Sequence, residues 1–104
     1  MDHYRPAAGT KISELDTPCL ILDLEALDHN FGKMADTFKD TKVKLREHTK
    51  NVKSPILAHM QIRKGGTVGG VCSAKVAEAE VMVEGGIESV LIPNQVVTTD
   101  KIKR

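Results

Sequence analysis

Aromatic residues are nearly missing: the 104-residue chain has no Trp, one Tyr and two Phe. Proteins that bind nucleic acid by stacking need aromatic faces, and those that track the phosphate backbone need a surplus of cations. Here 15 Lys and Arg stand against 14 Asp and Glu, a formal charge of +1. The two signs are interspersed, so neither nucleic acid nor a membrane surface is expected as a partner. No apolar run approaches the roughly 20 residues of a membrane-spanning helix. The stretch from Met1 to Lys11 also lacks the apolar segment of a signal peptide, so the expected location is cytoplasmic. Cysteine is scarce as well. Cys19 and Cys72 each sit in an apolar run with no CxxC or His-rich spacing, which fits buried reduced thiols better than a disulfide or a metal site. There is no GxGxxG or GxxxxGK[ST] loop, no HExxH, no EF-hand loop and no nucleophile elbow. Within these residues the expected metal ligands are none.

What is present is a β-then-α rhythm. Met1 to Thr17 carries Pro6 and Gly9 without periodicity and is expected to be a tail, ordered only near Leu15. Pro18 to Asp23 is a short continuous apolar run, suited to a strand covered on both faces. Asp23 then fits as an N-cap. Leu24, Leu27, Phe31, Met34 and Phe38 recur at spacings of three and four, the stripe of a helix running to about Lys39. A second strand is expected from Val43 to Glu47. Ser54 and Pro55 open a helix containing Ile56, Leu57 and Met60, which ends at Gly65 and Gly66. A third strand covers Gly69 to Ala74, and a helix from Lys75 to Glu84 turns Val76, Ala79 and Val83 inward until Gly85 and Gly86 stop it. Ser89 to Pro93 is one more buried strand, and Thr98 to Asp100 opens another helix. His29 and His59 read as solvated helix residues.

Strands therefore begin near residues 18, 43, 69 and 89, each followed by a helical pattern. The repeat predicts an α/β fold with about four parallel strands, either a doubly wound sheet or an incomplete (β/α) barrel of TIM type. In both, chemistry gathers at the carboxyl ends of strands. That places weight on Val43 to Lys53. Its alternation sets Val43, Leu45 and Glu47 on one face and Lys44, Arg46, His48 and Lys50 on the other. An almost wholly cationic face belongs to water, or else to a site with a reason to hold it. Lys75, which opens a helix after a strand, reads as a solvated first-turn lysine before a site contact, and Asn94 and Gln95 stand at another strand end, where capping explains them as well as ligand contact does.

Five stretches carry a family resemblance in order and spacing: Asp16 to Pro18, Leu22 to Leu27 with Asn30, Leu45 to Pro55, Ala74 to Glu80, and Leu91 to Val97. Together they resemble the N-terminal part of D-threonine aldolases, which with D-serine dehydratases belong to the alanine racemase-like (fold type III) enzymes using pyridoxal 5'-phosphate. The resemblance implies a tail over residues 1–15, and over 16–104 the first part of the (β/α) barrel domain. The family hallmark reads Pro-His-x-Lys-Thr-His-Lys, and its first lysine forms the Schiff base with the cofactor. Residue by residue that lysine is Lys50, with His48 and Lys53 also matching, so Lys50 is the implied catalytic residue and Lys50 and His48 the implied cofactor contacts. Glu47, Asn51 and Val52 replace the family's Pro, Thr and second His, and the last exchange removes a proton carrier beside the cofactor.

The implied activity is that of a lyase cleaving a D-amino acid substrate of the D-threonine type to glycine and an aldehyde. A D-serine dehydratase-like lyase is the alternative within the group. Phosphate-binding loops, general base and divalent-metal ligands come from later parts of that family's longer chain, so these residues are expected to be a fragment without turnover by itself. A non-catalytic piece that persists by self-assembly as a homo-oligomer, or by binding a partner chain, is the reading from another class, and a pyridoxal phosphate-binding protein of related fold without turnover of amino acids is a third. Because an amine must lose its proton to condense with an aldehyde, Arg46, His48 and Lys53 are expected to act on Lys50 as neighbouring cations. Glu47 is expected to pair with Lys50 or Arg46.

Overall fold

A computed structural model describes residues 4–104. Its elements in chain order are a 3-10 turn at Ile12–Glu14, helix α1 (Leu24–Phe38), strand β1 (Leu45–His48), helix α2 (Pro55–Lys64), strand β2 (Thr67–Cys72), helix α3 (Val76–Glu84), strand β3 (Val90–Leu91) and helix α4 (Thr99–Lys103). The three strands form one parallel sheet in the order β1-β2-β3. This is the expected α/β alternation in an open, unclosed sheet. The first three residues of the expected tail lie outside the described residues.

Local signals produce the helices. Asp23 caps α1 by accepting from the Ala26 amide at 2.9 Å. Ser54 Oγ accepts from the Leu57 amide at the start of α2, where Pro55 occupies the first turn without losing a needed donor. α3 opens without a side-chain cap at Lys75, and Glu78 substitutes by reaching back to the Ala74 amide at 2.9 Å.

The expected first strand is a correction. Pro18 to Asp23 forms no strand, and Leu20 is fully exposed, with Ile21 and Leu22 about half exposed. A buried strand needs a hydrogen-bonded neighbour and cover on both faces, and this segment has neither among the described residues. Cys19 is accordingly exposed instead of buried, while Cys72 is half-buried; both are free thiols. Among the described residues the strand count is therefore three, not four.

The core is small and lies on the helix side of β2, where Val71, Ala58, Met82 and Ile87 are buried, with Ile62 and Val90 packed against them. Met82, not Val83, is the inward residue of the last turn of α3, since Val83 is 59% exposed. His59 is not simply solvated: its Nε2–H donates to the Gly85 carbonyl at 2.9 Å, tying α2 to the end of α3. A Cβ on Gly85 would run into the Pro55 ring, so the two helices meet at a position only glycine fits.

β2 carries an irregularity that explains its glycines. Leu45 pairs with Thr67 and Glu47 with Val71, so two steps along β1 match four along β2. Gly69, at φ +76, absorbs the extra residues, and its amide bonds Thr67 Oγ1 at 3.1 Å. The radius of gyration, 16.6 Å, exceeds the roughly 13 Å of a compact chain of this length. With principal extents of 43 × 41 × 20 Å the molecule is a slab, one wall of packed elements instead of a closed shell.

Candidate active site

The carboxyl ends of β1 and β2 are joined by a run of hydrogen bonds around Thr49. Its amide donates to the Cys72 carbonyl at 2.9 Å, its hydroxyl donates to the same carbonyl at 3.0 Å, and Thr49 Oγ1 lies 3.2 Å from Ser73 Oγ. Ser73 in turn donates its amide to Leu91 of β3 at 2.9 Å. Both hydroxyl residues are buried, Thr49 at 1% and Ser73 at 0% exposure. This pair was not singled out by the sequence pattern, where Thr49 occupies an unspecified position between His48 and Lys50.

Lys50 follows in the turn beyond β1 and is exposed. β1 ends at His48, so strand alternation does not extend to Lys50, and the turn decides its placement. The Lys50 amide donates to His48 Nδ1 at 3.4 Å, and among the described residues its Nζ makes no hydrogen bond or ion pair. The turn closes where the Lys53 amide donates to the Thr49 carbonyl at 2.8 Å, with Lys53 at φ +49.

The expected cationic cluster is not assembled. Arg46 reaches across the sheet instead, its Nη1 lying 3.3 Å from the Val71 and Ser89 carbonyls and 3.1 Å from Ser89 Oγ. It passes over Gly70, where a Cβ would collide with Arg46 Nη1 and Ser89. Lys53 Nζ pairs with Glu78 Oε1 at 2.5 Å. That side-chain hydrogen bond, first among several causes, holds the Glu78 carboxyl below its ordinary range. Of the three expected neighbours, only His48 makes a direct contact with Lys50, and that contact is to its backbone.

Glu47 pairs with neither Lys50 nor Arg46. It lines a cavity of about 240 Å³ with Leu27, Phe31, Val52, Leu57 and Gln61, and burial pushes its carboxyl above the usual range. Its Oε2 is buried without a hydrogen-bond partner. Asn94 Nδ2 donates to the Ala74 carbonyl at 2.9 Å, a tie between the ends of β2 and β3, and Lys75 is exposed. Gln95 lines a small cavity with Val76 and Lys101, and Lys50 does not line that cavity. A larger groove of about 590 Å³ runs between α3 and α4 over Val76, Ala79, Val83, Ile92 and Ile102, and does not include Lys50.

Among the described residues no group of three His, Cys, Asp or Glu could hold a metal ion, and no helix is long and apolar enough to cross a membrane. The one signal that could have located Glu78 is its spacing three residues beyond Lys75, the position from which an acidic side chain caps a helix.

No protein-family model matches the chain. It is 47% identical over 96 residues to the 3-hydroxy-D-aspartate aldolase of Paracoccus denitrificans, covering 92% of this chain and 24% of that one. It is 36% identical over 94 residues to the D-threonine aldolase of an Arthrobacter species, covering 90% and 24%. The crystal structure of D-threonine aldolase from Filomicrobium marinum superposes with a TM-score of 0.82 at 50% identity, over 88% of this chain and 24% of that chain. Relative to the curated aldolases it matches, the chain spans about a quarter of their length. At 36% to 50% identity over about nine-tenths of its residues, this chain is a relative of D-threonine aldolase and 3-hydroxy-D-aspartate aldolase, equivalent to one part of those longer proteins.

Proposed function

We infer that this chain contributes the cofactor lysine of a pyridoxal phosphate-dependent lyase acting on 3-hydroxy-D-amino acids, the class common to D-threonine and 3-hydroxy-D-aspartate. The observation that carries the reading is Lys50, an exposed amine without a competing partner, set in a turn anchored at the carboxyl end of a parallel strand. The residues present fit the aldehyde end of the cofactor: a primary amine is the group that condenses with an aldehyde, and an amine locked in an ion pair would not be available. When bound, the cofactor supplies an electron sink for the pair released as the bond between Cα and Cβ breaks.

The chain's own residues do the rest of what can be assigned here. Lys50 provides the attachment nitrogen. His48 accepts the Lys50 amide at Nδ1, which ties its ring to the backbone of the turn that carries Lys50. Glu78 pairs with Lys53 and so holds the far end of the turn that carries Lys50. Cleavage also requires a base for the substrate hydroxyl, and that role is assigned to none of the residues described here. The chain alone is expected to attach cofactor without releasing glycine.

Incubation of the chain with pyridoxal phosphate, reduction with borohydride and peptide mapping tests this. Label on Lys50 in preference to other exposed lysines supports the assignment. Label spread evenly over the surface lysines, or absent from Lys50, contradicts it.

A further inference from the structure

Lys50 sits in an exposed turn, and a lysine there has many rotamers and a movable backbone. Efficient reaction at one amine requires its main chain to be held. We propose that Thr49 and Ser73 are positioning residues for the Lys50 amine, their buried hydroxyls fastening the β1 turn to the end of β2; this rests on Lys50 being the attachment lysine.

The geometry is specific. Thr49 has its amide, hydroxyl and carbonyl all engaged: the first two on the Cys72 carbonyl at 2.9 and 3.0 Å, the third by the Lys53 amide at 2.8 Å. Ser73, facing it at 3.2 Å, carries the connection onward to Leu91. A valine would match the shape of Thr49, so filling space does not call for the hydroxyl. Burying a hydroxyl costs stability unless it is hydrogen-bonded, and here the bonds run across strands and not along one chain segment. Four residues later, the left-handed Lys53 is held by its amide bond to Thr49 and its ion pair to Glu78. Lys50 thus lies between two fixed points, one at each end of its turn. Ser89 holds Arg46 on the sheet and plays no part in this connection.

Attachment joins the lysine nitrogen to the aldehyde carbon with loss of one water, and borohydride delivers the hydride that turns the C=N bond into a stable secondary amine. The rate of label appearing on Lys50 is measured with pyridoxal phosphate on the full 104-residue chain, for the unmodified protein and for Thr49→Val, Thr49→Ser and Ser73→Ala. Lys33 and Lys101, both exposed, are internal references. Thr49→Val is expected to slow labelling of Lys50 about fivefold, the equivalent of one lost buried hydrogen bond, with Lys33 and Lys101 unchanged. Thr49→Ser keeps the hydroxyl and should restore the rate, while Ser73→Ala should fall between. A general loss of structure would move all three lysines together, which the references reveal.

Equal Lys50 labelling in Thr49→Val and the unmodified chain overturns the positioning role while leaving the Lys50 assignment intact. No preferential label on Lys50 in the unmodified chain overturns both. Should Thr49→Val fail to fold, amide exchange in the unmodified chain decides: protected amides at Thr49 and Lys53 support the role, and exchange as fast as at exposed Asp40 contradicts it.

Discussion

The carboxyl end of β1 and the segment that precedes α1 contrast sharply. At the carboxyl end, from His48 to Lys53 and from Cys72 to Glu78, polar groups of different strands answer one another, and two hydroxyls are fully buried. Before α1, Pro18 to Asp23 is more apolar, yet it pairs with no strand and leaves Leu20 fully exposed. Hydrophobicity alone does not bury a segment; a neighbouring edge and a covering layer do. Side-chain chemistry that crosses between strands organises the rim even though it is polar.

Substitutions should separate the two regions in a graded way. The largest effect is expected in the small core beneath the rim: Met82→Ala should destabilise by about 2–5 kcal/mol, read from chemical unfolding, because a fully buried side chain leaves a cavity. Next comes Gly70→Ala, whose added carbon meets Ser89 and Arg46; overpacking of this kind costs about 1–3 kcal/mol. Smallest should be Leu20→Ser in the exposed segment, within about 0.5 kcal/mol of the unmodified chain. A Leu20→Ser loss as large as that of Met82→Ala would mean that the segment is packed in solution and would erase the contrast.

Two carboxylates sharpen the comparison through pH, with opposite signs. Glu78 is held below its ordinary range by Lys53, so its contribution is present above the unfolded-state value and disappears as pH falls through the lower folded one. Glu78→Gln should therefore flatten the acid side of the stability profile. Glu47 is raised by burial, so the folded state favours its protonated form, and stability from this group is greatest below the unfolded value and is lost as pH rises through the raised one. Glu47→Gln should then raise the unfolding midpoint at neutral pH more than at pH 4, measured by thermal melts at both.

Much of the fold was legible because it rests on local signals. Asp23, Ser54 and Pro55 announce their helices through capping chemistry, and the stripe from Leu24 to Phe38 matches the observed α1. The β–α rhythm predicted parallel pairing, which the sheet has. The failures are tertiary. Whether Pro18 to Asp23 becomes a strand depends on an edge to join, which no run of residues encodes. Arg46 and Lys53 read as neighbours of Lys50 because they are close in sequence, but partners far along the chain, Ser89 and Glu78, claim them. Met82 replaces Val83 inside α3 because helix rotation is set by what lies beneath it. Lys50 was found through a family pattern, whereas the buried Thr49 and Ser73 beside it have no signature, since a hydroxyl's partner 24 residues away is visible only once the strands are side by side.

The claim on which the account depends is that one amine at the strand rim is set apart for an aldehyde cofactor. The direct measurement compares borohydride-fixed pyridoxal phosphate on the unmodified chain and on Lys50→Arg by mass spectrometry of the peptide spanning residues 47–53. Label on this peptide, carried by residue 50 and gone in Lys50→Arg while other lysines are labelled as before, is the predicted result. The same yield on this peptide in both proteins, through Lys53, would contradict it.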